Sequence, residues 1–295
     1  MLQVSGSILF CGLTSVTLLI MDRAGILDGQ SRAAEALIKI IRTRIPAMEW
    51  LIATDVPCYV YGSLGYKFRN SEDYIKMTHC AERLGMQLKV IPPQWRWVGV
   101  GTELADPGAT RFKSDFEDYR IQGVYHGVQV SLWGAAREGT AKNTTVPKLK
   151  SRQARQARRA RLRDPAVTAQ LQALTVMIGL LSADLPPVCW RIDPPENHEP
   201  QLDVKIDTFR RRSQARAELI QWAEFLGTPI HYEPSDVYHN LHTSGYNSAQ
   251  VTTHVDGVSI TITATLRRPL SDMRPWQALR RRFTRTAGSK PTTTR

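Results

Sequence analysis

The sequence predicts an α+β protein. It is built from two tandem related modules, each with helices packed on a mostly antiparallel β-sheet, joined by an Arg-rich helical or disordered linker. Three observations predict this. A helix with a glycine stop occurs twice, as Ala81–Gly85 (AERLG) and Ala223–Gly227 (AEFLG). Each is followed by a glycine-centred hairpin, YHGVQVSL from Tyr125 and VDGVSITI from Val255. A third correspondence lies upstream, where Cys58-Tyr59 follows Val56-Pro57 and Cys189-Trp190 follows Pro186-Pro187-Val188. Self-similarity in one order along a chain is the mark of a repeated unit.

The order of elements follows from local patterns. Residues 1–21 are uncharged, with a run SILFCGLTSVTLLIM diluted by Ser, Thr and Gly. That run barely reaches the length needed to span a bilayer. It lacks the basic start and small-residue cleavage site of a signal peptide. Residues 1–30 therefore read as an apolar N-terminal segment, and a membrane is not an expected partner. Residues 31–52 read as an amphipathic helix with Leu37, Ile38, Ile41 and Ile45 inward, ended or kinked by Pro46. Strand-like CYVYG follows, and then the turn GSLGY.

A helix over 72–84 carries the stripe Tyr74, Met77, Ala81 and Leu84, and Gly85 supplies the left-handed residue that closes it. The strand QLKVI leads to PPQWRWVGVGTELADPG, in which Trp95, Arg96 and Trp97 alternate as on an edge strand. Asp115, Glu117 and Asp118 read as solubilising charges. In RIQGVY-HG-VQVSLW a hairpin turns at His126-Gly127. The first module spans 31–136.

After a polar stretch, residues 137–163 form the basic linker. Asp164-Pro165 marks a new helix, an N-cap followed by proline at the first helical position. That helix, 166–182, buries Leu171, Leu174, Ile178 and Leu181. The strands PVCWRI and LDVKI, a helix over 212–226 with Ala215, Leu219, Trp222, Ala223 and Leu226 on one face, the strand PIHYE and the Asp256-Gly257 hairpin complete a second module at 164–267. Residues 268–295 are a basic tail.

Charge is unevenly spread. The chain has 295 residues and a formal net charge of +12. Residues 148–163 hold eight Lys or Arg and no acid, and residues 267–295 hold nine with Asp272 as the one acid. Together these segments carry +16, so the rest of the chain is mildly acidic at −4. Basic segments flanking acidic modules point to a polyanionic partner, either nucleic acid or an acidic protein, with self-association a further option. Arg152, Arg155, Arg158, Arg159, Arg161 and Arg163 in the linker, and Arg280, Arg281 and Arg282 in the tail, are the candidates for phosphate contacts. Trp95 and Trp97 are candidates for base stacking.

Catalytic signals are sparse. There is no glycine fingerprint between a strand and a helix, no G-x-S-x-G and no Cys-His pair in a readable context, so no cofactor is expected. His231, His239 and His242 form a histidine cluster without a Cys or Glu at familiar zinc spacing. Asp193 at a strand end, with Asp203-x-Lys205 on the next strand, matches the layout of metal-dependent nucleases. There carboxylates hold Mg²⁺ and the lysine assists the attacking water. Four scattered cysteines give no disulfide framework, so a reducing cytoplasm is the simplest setting.

Pro187 to Ile192 with its W-x-I, Trp222 to Gly227 and Val255 to Ile260 resemble a group of uncharacterised proteins from high-GC actinobacteria, often associated with phages or integrated mobile elements. The likeness covers the second module best, and the first departs from it, with Tyr59 and Cys80 in place of the two tryptophans. These motifs are structural, so the resemblance implies a genomic setting and no activity. The expected function is a non-enzymatic protein that binds nucleic-acid backbones through the Arg-rich segments. The alternatives are a protein-interaction or structural component of a phage or mobile element, and a metal-dependent nuclease using Asp193, Asp203 and Lys205.

Overall fold

In the computed structural model, residues 22–64, 71–93, 95–98, 110–113, 115–146, 164–195, 199–206, 212–234 and 246–267 are described. The uncharged start of the chain, the Arg-rich part of the linker and the basic tail lie outside them.

The first helix, α1 (Arg23–Arg42), starts earlier and stops earlier than its sequence pattern suggests. Asp22 caps it by accepting from the Gly25 backbone N–H at 2.8 Å. It stops because Thr43 folds its hydroxyl back onto the Ile40 carbonyl and Arg44 takes a φ of 72°. The helix expected over 31–52, ended or kinked by Pro46, therefore ends before the proline and does not resume after it. Glu49–Ile52 is a strand, β1, whose residues alternate between half-buried and buried. Leu37, Ile41, Ile45, Met48 and Ile52 fall at spacings of three or four, so the helical rhythm runs on by accident across Pro46.

The next elements are β2 (Tyr59–Ser63), α2 (Ser71–Leu84) and β3 (Leu88–Ile91). Then come β4 (Trp95–Val98), β5 (Thr110–Lys113), β6 (Phe116–Tyr125), β7 (Val128–Arg137) and the single-turn α3 (Thr140–Asn143). The second half contributes α4 (Pro165–Leu181), β8 (Cys189–Ile192), β9 (Gln201–Lys205) and α5 (Arg212–Leu226). It ends with β10 (His231–Pro234), β11 (Tyr246–Val255) and β12 (Val258–Arg267). The expected stops and turns are in place. Gly85 and Gly227 have φ of 64° and 63°. Both hairpin turns use two left-handed residues, His126-Gly127 and Asp256-Gly257. Asp164 accepts from the Ala166 N–H at 3.0 Å with Pro165 inside the helix start.

Ten strands form one sheet in the order β10-β11-β12-β9-β8-β1-β2-β7-β6-β3. The pairs β2–β7 and β9–β12 are parallel and the others antiparallel. Read outward from the centre, each side passes through a short strand, a second short strand, the last strand of its half, that strand's hairpin partner and a four-residue edge. The centre is the β1–β8 pair, with Trp50 opposite Ile192, Leu51 opposite Arg191 and Ile52 opposite Trp190. The segments in register across it are thus Trp50-Leu51-Ile52 and Trp190-Arg191-Ile192. Tyr59, matched in the sequence with Trp190, belongs to β2, one strand further out from the centre.

The helices α1, α2, α4 and α5 cover the apolar face of the sheet, and one core cluster runs beneath them. Trp50, Trp190 and Trp222 are its largest buried side chains, and Trp190 meets Trp222 edge-on at 5.9 Å between ring centroids. Two glutamines are buried with them. Gln30 of α1 donates to the Val188 carbonyl at 2.7 Å and to the Ala53 carbonyl at 3.1 Å. Gln170 of α4 donates to the Met48 carbonyl at 2.6 Å. Each of the two helices therefore ties down the chain just before the other half's central strand. An offset of 140 residues relates Gln30 to Gln170, Met48 to Val188 and Trp50 to Trp190.

Glu117 is not a solubilising charge. Only 6% exposed, it accepts from the Tyr119 hydroxyl at 2.6 Å and the Ala141 N–H at 2.7 Å, and so caps α3. Burial, and then the hydrogen bond to Glu117, push the Tyr119 phenol well above its ordinary range.

Candidate functional site

Strand alternation sends every second residue of the sheet to the face away from the helices. On the four central strands these residues are Glu49 and Leu51, Tyr59 and Tyr61, Cys189 and Arg191, and Gln201, Asp203 and Lys205. On this face Ser63 and Ser131 are buried near the centre of the first half, whereas Gln122, Val124 and Gln129 of the first half and Gln201 and Lys205 of the second are exposed.

Arg191 lies at the middle of it. Its Nε donates to the Asp193 Oδ1 at 2.9 Å and lies 3.2 Å from the Glu49 Oε1, bridging the two central strands. Asp203 is its register partner on β9 and takes a 2.9 Å hydrogen bond from the Gln201 amide. Burial works against the charge on Arg191. The hydrogen bond and charge of Asp193, supported by Glu49 and Asp203, outweigh burial and raise its pKa. Glu49 is pushed up, chiefly by burial and less by Asp193, with Arg191 opposing.

The nuclease residues can be placed within this cluster. Asp203 and Lys205 share the helix-free face of β9, but Asp203 is level with Arg191 and Lys205 with Cys189, at the opposite end of β8 from Asp193. Arg191, however, is the register partner of Asp203 and its Nε donates to the Asp193 Oδ1, so the Asp193 carboxylate is already engaged by a cation. Among the described residues no group of three or more His, Cys, Asp or Glu side chains is arranged to hold a metal ion. His231 lies exposed on the edge strand β10, and His239 and His242 are outside the described residues.

Trp95 and Trp97 lie on β4, which pairs with β5 in a two-stranded ribbon separate from the main sheet. Its register sets Trp95 opposite Lys113, Arg96 opposite Phe112 and Trp97 opposite Arg111. Arg152, Arg155, Arg158, Arg159, Arg161, Arg163, Arg280, Arg281 and Arg282 lie outside the described residues. No helix among the described residues is long and apolar enough to cross a membrane.

Sequence reasoning missed Glu49, Arg191, Gln30 and Gln170. The signal for Arg191 was the alternation in Cys-Trp-Arg-Ile, which turns arginine away from the face that buries tryptophan. The signal for the glutamines was their shared place three residues before an alanine on two apolar helix faces, Gln30 before Ala33 and Gln170 before Ala173. Compared with known proteins, the chain matches no protein family, no curated protein and no solved structure.

Proposed function

We propose that the protein binds nucleic acid through the phosphate backbone, without catalysis and without base specificity. The observation that carries this reading is the β4–β5 ribbon. Opposed residues of an antiparallel pair are neighbours on one side of it. The register sets each aromatic residue of the ribbon, Trp95, Trp97 and Phe112, opposite a basic one, Lys113, Arg111 and Arg96. Aromatic rings stack bases while adjacent cations meet phosphates, and a two-stranded ribbon is narrow enough to enter a major groove. The basic segments at 148–163 and 267–295 add the non-specific electrostatic attraction.

The test is binding of labelled duplex and single-stranded DNA across a salt series. The expected result is tight binding at low salt with a steep negative log–log slope. Replacing the six linker arginines by Gln should flatten the duplex slope by about 5 if all six neutralise phosphates. No binding at low salt would sink the reading.

We also propose that the chain is a duplicated α+β unit, with related modules at 31–136 and 164–267. The mirrored strand order, the 140-residue offset shared by Gln30, Met48 and Trp50 with Gln170, Val188 and Trp190, and the reciprocal Gln30 and Gln170 hydrogen bonds support this.

A further inference from the structure

The β1–β8 pair has the geometry of a two-fold interface formed inside one chain. Leu51 and Arg191 are each other's equivalents under the 140-residue offset, and they face each other, so the pseudo-two-fold axis passes between them. The contacts around it are reciprocal. α1 packs on α4, Gln30 reaches Val188 while Gln170 reaches Met48, and Trp50 faces Ile192 while Trp190 faces Ile52. In an isologous interface the same patch is used twice, so either half presents a surface that its own copy also fits. The chain must then favour the pairing of unlike halves over two like pairings.

The helix-free face carries the difference. In the unlike pairing Arg191 lies 3.2 Å from Glu49. In the same geometry a pair of first halves would set Leu51 against Leu51 and Glu49 against Ala53. Each half-buried Glu49 would then lack the one cation that lowers its pKa. A pair of second halves would set Arg191 directly against Arg191, and like charges opposed across two strands destabilise the pair. Exchanging two unlike pairs for one of each like pair loses two Glu49–Arg191 contacts and opposes two guanidinium groups. We infer that the face each half turns to the axis is a pairing surface selective for the unlike half of the same chain, and that Glu49 and Arg191 set the selectivity. This rests on the duplicated reading of the chain and is independent of nucleic-acid binding.

The experiment places a protease site within 147–163 of the full-length protein, cleaves the folded chain, unfolds it in denaturant and refolds it by dilution. Native mass spectrometry then counts the pairings. With no discrimination, like pairs would make up roughly half of all complexes. The wild-type protein should give few, on the order of one-tenth or less, as expected for opposed like charges and lost ion pairs acting together. Arg191→Leu, or Arg191→Met should the first refold poorly, should raise their share several-fold. Statistical like pairing in the wild type would overturn the selectivity and leave the duplicated interface standing. No like pairs in the wild type or in either Arg191 variant would mean that the surfaces do not fit their own copies, and both readings would fall.

Discussion

Gly62 on β2 has no room for a methyl group. A Cβ there would come within 2.6 Å of the Trp50 ring and 2.7 Å of the Leu132 Cδ2. Neither neighbour is free to move, because both are fully buried in the core. Gly62→Ala should therefore cost about 1–3 kcal/mol, read from urea denaturation midpoints. Asp73 makes the opposite case, a buried residue whose replacement should help. It is 1% exposed, neither carboxylate oxygen receives a hydrogen bond, and Lys76 is 3.8 Å away. Burial, with a smaller push from Glu72 and against the pull of Lys76, raises its pKa to about 6. A carboxyl with a raised folded-state pKa imposes no penalty below its unfolded value of 3.8, and costs stability as pH rises from there to about 6, above which the penalty is constant. Asp73→Asn should thus leave the melting temperature unchanged near pH 3.5 and raise stability by roughly 1–3 kcal/mol at pH 8. An equal shift at both pH values would refute this account. At this scale the sequence was a poor guide. Nothing in Ser-Glu-Asp-Tyr separates a buried aspartate from an exposed one, and Glu117 was misread for the same reason.

Elements were far more legible than single residues. The Asp164-Pro165 start, both glycine stops and both hairpin turns depend on backbone preferences of one or two residues, which the chain carries wherever it folds. The boundary between α1 and β1 was missed because the apolar spacing of three and four continued past the true stop. The event that ends the helix, a left-handed Arg44, has no strong sequence mark. The helices α1 and α4 also do more than cover the sheet. Each holds the approach to the other half's central strand through its glutamine. Gln30→Leu and Gln170→Leu should each leave a buried carbonyl without its donor and cost about 1–3 kcal/mol, measured by thermal or urea unfolding. The Gln30 variant should lose at least as much, since it forfeits two bonds where Gln170 forfeits one.

At the scale of the whole molecule, the continuous sheet and the single core cluster predict joint unfolding of the two halves. Tryptophan fluorescence and far-UV circular dichroism should give coincident transitions through urea. Two separated midpoints would show that the β1–β8 seam does not couple the halves. The sequence by itself determined most of the element types, the glycine stops and hairpin turns, and the segregation of basic charge. These rest on periodicity, turn chemistry and composition, all properties of short stretches. Only the tertiary structure decided that the strands of both halves join into one sheet, that Trp50 and Trp190 lie on the two paired central strands, and that Arg191 meets Glu49 of β1 and Asp193 while lying level with Asp203 of β9. Those facts depend on register between segments some 140 residues apart, here Trp50 and Trp190. Register is fixed when both apolar faces are buried together, and no local pattern encodes which distant strand will supply the partner.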